Sequence, residues 1–532
     1  MSLRIYVAQL NFTVGDIAGN VEKIAAAHGR AIKEKADLTI FPEMCVTGYP
    51  PEDLVLRRSF QDVAMQAVER LAHITRDTTA ILCGGIWRED EDLYNTAFLL
   101  DGGKITHRQY KHNLPNYGVF DEKRVFAAGA VPGPSAWRGI KLGILICEDM
   151  WSREAAHALK GQGAQVLVAI NASPYETAKH AMRVDAAATC VKDTGLPLFY
   201  VNQVGGQDEL VFDGGSFVMD RTGKITSLLH NFQEDFAVIT DSSKPGRIEA
   251  RRSVEEDIYS AMTLGLHDYV GKNRFPGVLL GLSGGIDSAL TAAVAVDALG
   301  KEHVRAVMLP SPYTSRESLE DAAECAQLLG IKLDTVPISP AMPVVSDMLA
   351  GIFAGRQPDV TEENIQSRLR GLILMAMSNK FGHLPLTTGN KSEMGAGYAT
   401  LYGDMCGGFN VLKDVYKTEV YKLAGWRNAQ GQVIPERIMT KPPSAELKPN
   451  QTDQDTLPPY DLLDAILQRL IEERLSVDEI ASLGYERTTV ERVAKLLYRS
   501  EYKRRQAAPG VKITRMAFGR DRRYPLTSGW GA

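Results

Sequence analysis

The sequence predicts an α/β chain of two domains, and three observations carry that prediction. Residues 278–299, VLLGLSGGIDSALTAAVAVDAL, read as strand, glycine turn and helix. Strand-length apolar runs and helix-period segments then alternate through the second half, the pattern of a parallel sheet covered on both faces. Between the halves, residues 240–252, TDSSKPGRIEARR, replace apolar periodicity with Pro, Gly, Ser and charge. The boundary is placed near Gly246, giving domains of residues 1–245 and 246–532.

Composition narrows the functions to consider. The 532 residues are 44% hydrophobic and 23% charged, an ordinary globular balance in which each domain can bury a full core. A formal net charge of −5 argues against bulk nucleic-acid binding. The six cysteines, at positions 45, 83, 147, 190, 325 and 406, form no C-x-x-C pair, so neither a zinc site nor a disulfide framework is suggested. Free thiols fit a reducing cytoplasm. The amino-terminal stretch lacks the apolar core of a signal peptide, and no run approaches the length of a membrane span. A cytoplasmic chain is expected, with neither membrane nor nucleic acid as partner.

In the first half, residues 4–9 read as a strand, and Asn20 is positioned to cap a helix over 21–36. A second strand, 38–41, runs into Pro42 and Glu43. A carboxylate at the end of a buried strand suits a general base, although a lone glutamate is more often a surface or paired residue. Strands follow at 80–87 and 97–100, then YKHNLP at 110–115 and FDE at 120–122. The strand 141–146 delivers Cys147, followed at once by Glu148 and Asp149. A cysteine at a strand end is most often inert packing, but two adjacent acids argue against a plain core position. A nucleophilic cysteine needs a base or cation beside it. Glu43 can take the proton, and Lys111 can favour the thiolate and hold an oxyanion.

In their settings FPE, YKHNLPNYGVFDE and LICEDMW, Glu43, Lys111 and Cys147 resemble the Glu-Lys-Cys triad of the nitrilase/amidase family, over about residues 1–243. The resemblance implies an α-β-β-α sandwich and attack of Cys147 on a carboxamide, with ammonia leaving and water hydrolysing the thioester. It also implies that Glu122 is a second active-site glutamate. A strand at 166–170 leads to Asn171–Tyr175. By likeness to the glutaminase members, Tyr117, Ser173 and Lys179 would hold the glutamine substrate.

The turn at 283–288 makes a different demand. Its glycines bring backbone close to a ligand, and the following helix aims free N–H groups and a positive end at it, a place suited to phosphate. Asp287 would repel phosphate unless a hard cation such as Mg2+ lay between. No lysine follows the glycines, so the turn is not the G-x-x-x-x-G-K-[ST] loop. It resembles the SGGxDS loop of the ATP pyrophosphatases.

A helix over 254–270 precedes that turn. After it come a strand at 304–309, a helix at 318–329, a strand at 332–337 and a helix at 362–381 carrying Asn364 and Arg368 one turn apart. The strand 384–388 ends in Gly389–Glu393. The run TTGNKSEMGAGYATLYGDMCGGFNVLKDVYKTEV resembles the NAD synthetase family, a branch of the ATP pyrophosphatases, over about residues 254–502. The resemblance implies a doubly wound parallel sheet. It assigns ATP to Gly281, Leu282, Ser283, Gly284, Gly285, Ile286, Asp287 and Ser288, with Thr388, Lys417 and Ser444. It assigns Mg2+ to Asp287 and Glu393, and deamido-NAD+ to Asn364, Arg368, Glu393 and Lys503. One departure stands out. Stand-alone, ammonia-using synthetases carry a lysine and an aspartate near Leu401 and Gly408, and this chain does not. Residues 427–459, rich in Pro, Gln and Asp, are expected to form a mobile or ligand-ordered loop. Short helices follow Tyr460, and the basic tail with Lys503, Arg504, Arg505, Arg520, Arg522 and Arg523 is expected to close on nucleotide phosphates.

Together the halves imply an enzyme that releases ammonia from glutamine and uses ATP to amidate deamido-NAD+ through an adenylate. Another amidotransferase of the ATP-pyrophosphatase type would share the loop but lack the 388–421 pattern. A nucleotide sensor built from decayed domains would have lost Cys147 or Asp287. The same resemblance implies a homo-oligomer built on a synthetase-domain dimer.

Overall fold

The computed structural model describes residues 3–250 and 252–530, and the chain divides into two units after Arg252. The division lies beyond Gly246 because the intervening residues pair with the first unit. The Gly246 N–H donates to the Thr226 carbonyl at 2.7 Å and the Leu228 N–H to that of Arg247 at 2.9 Å. Ile248 then bridges Leu228 in parallel.

In the first unit two six-stranded sheets stack face to face. One runs in the order Asp235–Ile239, Ile5–Gln9, Leu38–Ile40, Ala80–Glu89, Asp92–Asp101, Lys104–Tyr110. The other runs Ile225–Leu228, Phe217–Met219, Leu198–Asn202, Val166–Asn171, Ile140–Ile146, Ser135–Trp137. Strand alternation builds the layers. Ile5 and Val7 face the core between the sheets, whereas Tyr6 and Ala8 face the helices Ile17–Lys33 and Arg58–His73. Ile144 and Ile146 likewise point inward, and Leu145 packs under Arg153–Gly161 and Lys179–Thr194. The result is an α-β-β-α sandwich.

The first helix begins earlier than its apolar period suggests. Asp16, not Asn20, is the cap, accepting from the Gly19 N–H at 3.0 Å. Asn20 lies inside the helix and is buried. It accepts from the Thr13 N–H at 3.0 Å and donates to the Thr13 carbonyl at 2.8 Å, fastening the entry loop.

In the second unit five strands, all parallel, run Lys332–Thr335, Val304–Met308, Val278–Gly281, Leu384–Thr387, Phe409–Asn410. From Val278–Gly281 the chain steps outward twice in one direction, then crosses back to Leu384–Thr387 on the other side. Right-handed crossovers therefore put Ile286–Leu299 and Arg316–Leu329 on one face and Val360–Phe381 on the other. On the latter face Leu279, Val307 and Leu374 pack together. The order reverses between Val278–Gly281 and Leu384–Thr387, and ligands of such sheets bind in the crevice at that point.

Behind the crevice, Tyr460–Ile471, Val477–Ser482 and Arg487–Arg499 form a second core with Met394 and Tyr416. Two arginines of the basic tail turn into this second core. Arg504 and Arg522 are buried and both pair with Glu501, at 2.8 and 2.6 Å. Charges this enclosed need internal partners, so these arginines are structural. Nor is 427–459 a plain loop. It holds the helix Glu436–Thr440, and Gln366 fixes the Leu447 carbonyl at 2.9 Å. Among the described residues no helix is long and apolar enough to cross a membrane, and all six cysteines are free.

Candidate active sites

In the first unit the strands converge on one buried ionic cluster. Pro42 and Glu43 leave the strand Leu38–Ile40 and lie along Ala80–Glu89, where the Gly84 N–H donates to the Pro42 carbonyl at 3.2 Å. A Cβ at Gly84 would sit 2.2 Å from the Met44 nitrogen, so only glycine admits this approach. Lys111 continues from Lys104–Tyr110, its N–H donating to the Asn95 carbonyl at 2.8 Å. The Lys111 amine donates to Glu43 Oε1 and to Glu122 Oε1, each at 2.8 Å. Glu43 is wholly buried and accepts further bonds from Asn95 Nδ2 at 2.7 Å and the Ala172 N–H at 2.8 Å. The Tyr49 hydroxyl donates to Glu122 at 2.9 Å.

Cys147 ends the strand Ile140–Ile146 with φ at +48° and opens a single turn, Cys147–Trp151. A non-glycine residue there costs about 1 to 2 kcal/mol, and such strain gathers at functional sites. The thiol is buried and within electrostatic reach of Glu43, Lys111, Glu148 and Glu122. Burial, then Glu43, pushes its pKa well above the ordinary thiol value, so the resting sulfur carries its proton. Burial also works against the charged Lys111, but Glu122 and Glu43 outweigh it and raise its pKa. Burial lifts Glu122 to about 7 against the pull of Lys111.

Asp149 clasps the cluster. It accepts from the Asn113 N–H at 2.7 Å and the Ile146 N–H at 3.2 Å, joining the Lys111 loop to the cysteine strand. Tyr117 and Lys179 lie against the Cys147–Trp151 turn. The Tyr117 hydroxyl donates to Glu148 at 2.9 Å, the Lys179 amine lies 5.5 Å from the Trp151 ring centre, and Ser173 is buried on the turn that bonds Glu43. Sequence reading missed Tyr49, Asn95 and the clasp by Asp149. Asp149 had a visible signal, as the second acid after Cys147; Tyr49 and Asn95 had none.

In the second unit a cavity of about 290 Å³ opens at the crevice. All eight residues Gly281–Ser288 line it, with Thr388, Glu393, Lys417 and Ser444. Gly284 has φ +82°, and a Cβ there would lie 2.3 Å from the Ser318 carbonyl. Ser288 Oγ accepts from the Ser283 N–H at 3.2 Å and lies 3.1 Å from Ser283 Oγ, tying the turn shut. Lys417 reaches between two carboxylates: it donates to Asp287 and lies 3.6 Å from Glu393 Oε1. Asn390 links the same pair, donating to Asp287 at 2.9 Å and capping the turn of Glu393. Burial, then the Asp287 charge, lifts Glu393 to about 8.

The remaining sequence-assigned residues fall outside the cavity lining. Arg368 donates to the Leu401 carbonyl at 3.3 Å, Asn364 accepts from Thr400 at 2.9 Å, and Lys503 donates to the carbonyls of Gly397 and Ala399. From the same helix the cavity receives Arg370, and from 427–459 it receives Lys441, Glu446 and Asp453. Sequence reading gave no role to Asn390, although the N-x-x-E pattern at 390–393 is a capping signature that signals it; helix phase hid Arg370.

Residues 4–252 match the carbon-nitrogen hydrolase family model and residues 258–507 that of NAD synthase. Over 546 residues the chain is 49% identical to the glutamine-dependent NAD(+) synthetase of Rhodobacter capsulatus, covering 99% of this chain and 98% of that protein. The chain belongs to the glutamine-dependent NAD+ synthetases. The synthetase of Thermotoga maritima is 45% identical over 567 residues, with 99% and 98% covered. The solved structure of the Acinetobacter baumannii synthetase in complex with ADP is similar over 100% of this chain and 99% of that one, with a TM-score of 0.81 and 43% identity.

Proposed function

We propose that the chain converts deamido-NAD+, ATP, glutamine and water into NAD+, AMP, pyrophosphate and glutamate, with the labour divided between its units. In the first, Cys147 attacks the glutamine carboxamide while Glu43 takes the thiol proton and passes it to the departing ammonia. Lys111 holds the oxyanion, and Glu122 shares the lysine's charge. Tyr117, Ser173 and Lys179 hold the glutamine. Water then releases glutamate from the thioester.

In the second unit Gly281–Ser288, Thr388, Lys417 and Ser444 hold ATP, and Asn364, Arg368, Glu393 and Lys503 serve deamido-NAD+. The dinucleotide's free carboxylate displaces pyrophosphate from ATP, and ammonia displaces AMP from the acyl-adenylate. No side chain need act as nucleophile; the residues position reactants and clamp charge. Two carboxylates held by one lysine amine fit a divalent cation, since the amine already stands in for one. Asp287 and Glu393 would hold Mg2+, which when bound supplies charge neutralisation between those carboxylates and the triphosphate. Free ammonia is mostly protonated at neutral pH, so one chain carrying both sites favours direct transfer. A cytoplasmic homo-oligomer built on a synthetase-domain dimer completes the proposal, and sedimentation equilibrium gives its mass.

The observation that carries this reading is the Lys111 amine bridging Glu43 and Glu122 beside a buried thiol, on a chain that also carries the glycine-turn cavity. Cys147→Ala is expected to cut glutamine-supported NAD+ formation by about 10³-fold or more and leave synthesis from ammonium salts intact. Loss of both from a folded variant would refute the division. AMP release with deamido-NAD+ but not with xanthosine monophosphate separates this reading from another amidotransferase.

A further inference from the structure

Arg183 heads the fully buried large side chains, 1% exposed, on the helix Lys179–Thr194. A guanidinium has five N–H donors, and five bonds meet them here. Nε donates to Ser173 Oγ at 3.0 Å, and Nη1 donates to the two Asp213 oxygens at 2.7 and 2.8 Å. Nη2 donates to the carbonyls of Ser173 and Pro174 at 2.9 and 2.8 Å. Asp213, itself buried, ends the strand Leu210–Asp213.

An ion pair this enclosed is a poor device for stability alone, since apolar side chains of like volume would serve as well. What it adds is direction. Three of the five bonds converge on one turn, residues 172–174, at the end of Val166–Asn171. The other side of that turn faces the reacting groups: the Ala172 N–H holds Glu43 Oε2 at 2.8 Å. The Ser173 N–H is pinned to Asn202 Oδ1 at 2.9 Å. Arg183 is a donor only, so Ser173 Oγ must accept from it. The serine proton is thereby turned away from the arginine, where the Tyr200 hydroxyl oxygen and an incoming ligand are the acceptors in competition for it. A hydroxyl held this way offers a donor, which suits an acceptor on the substrate, such as the α-carboxylate of an amino acid.

We infer that Arg183, locked by Asp213, is a positioning residue for glutamine hydrolysis: it sets the 172–174 turn so that Ala172 orients Glu43 and Ser173 presents its hydroxyl proton to the glutamine. This rests on the glutaminase reading of Cys147.

The test uses full-length Arg183→Lys, Arg183→Met, Asp213→Asn, Ser173→Ala and the Arg183→Met/Ser173→Ala double variant. Each is assayed for glutamine hydrolysis and for ammonium-supported NAD+ formation. Arg183→Met is expected to lower kcat/KM for glutamine about 100-fold, through both KM and kcat, with ammonium-supported synthesis unchanged. Arg183→Lys, which keeps charge but offers three donors, should recover part of the loss. Asp213→Asn should move the same way by less. Because the arginine acts through the turn, adding Ser173→Ala to Arg183→Met should cost less than Ser173→Ala costs alone. A purely structural arginine would leave kcat/KM unchanged in the folded variants, or give strictly additive losses, and either result overturns the inference. If Arg183→Met does not fold, Arg183→Lys and Asp213→Asn decide by the same criterion. Glutamine hydrolysis surviving in Cys147→Ala would instead bring down the underlying glutaminase reading, whatever Arg183 does.

Discussion

Each unit holds a buried lysine between two carboxylates, yet the settings differ. Lys111 and its partners Glu43 and Glu122 are 1%, 0% and 4% exposed, and the Glu43 oxygens are engaged by Asn95 and Ala172 as well. Lys417 is equally hidden at 2%, but Asp287 and Glu393 are 16% and 18% exposed and line the open cavity. The first lysine is enclosed with both its partners, whereas the second has partners that face the cavity. On the proposed function the first would be a fixed part of the machinery and the second would hold a place for positive charge arriving with substrate. One electrostatic arrangement would then serve two ends, with access to the cavity deciding which.

Replacing each lysine should separate the two uses. Lys111→Met leaves two buried carboxylates without their cation and removes the proposed oxyanion partner. Glutamine-supported synthesis should fall about 10³-fold or more while ammonium-supported synthesis persists. Equal loss of both would mean that the first site is not confined to ammonia release. Lys417→Met should cut synthesis from both nitrogen donors, by about 10²-fold, and leave glutamine hydrolysis. Removing the resident amine should also tighten Mn2+ binding by the nucleotide-free protein, followed by electron paramagnetic resonance. Weaker Mn2+ binding would show that the lysine organises the carboxylates rather than standing in for a cation.

The candidate groups were legible where they sit at the ends of strands. Glu43, Cys147 and the Ser283–Ser288 turn each follow an apolar run that could be read directly, and the α/β alternation of the second unit fixed the crevice. The partners were not legible. Glu43 meets Ala172 across 129 positions and Asn95 across 52, and no local pattern encodes such pairs. Short strands between 198 and 239 carried too few residues to show a period. Two basic residues of the tail misled because charge in sequence says nothing of burial: Arg504 and Arg522 satisfy Glu501 inside a core. Asn20 misled for a related reason, since a good capping residue also makes a good loop fastener when the helix starts one turn earlier.

The smallest effect sharpens the contrast further, since it depends on a proton in the enclosed site. Burial lifts Glu122 to about 7, so it is protonated below that pH and ionised above it. Once ionised it takes a larger share of the Lys111 amine and leaves Glu43 freer to receive the thiol proton. That proton must be removed, because burial keeps Cys147 neutral at rest. Glutamine kcat/KM should therefore rise several-fold as pH increases through about 7. Glu122→Gln fixes the neutral form at nearly constant shape, and its profile should be low and flat across the same range, with ammonium-supported synthesis following wild type. A rise that survives in Glu122→Gln would assign the ionisation elsewhere. Asp149, which burial lifts to about 6 against the pull of the Asn113 N–H, is the next group to replace.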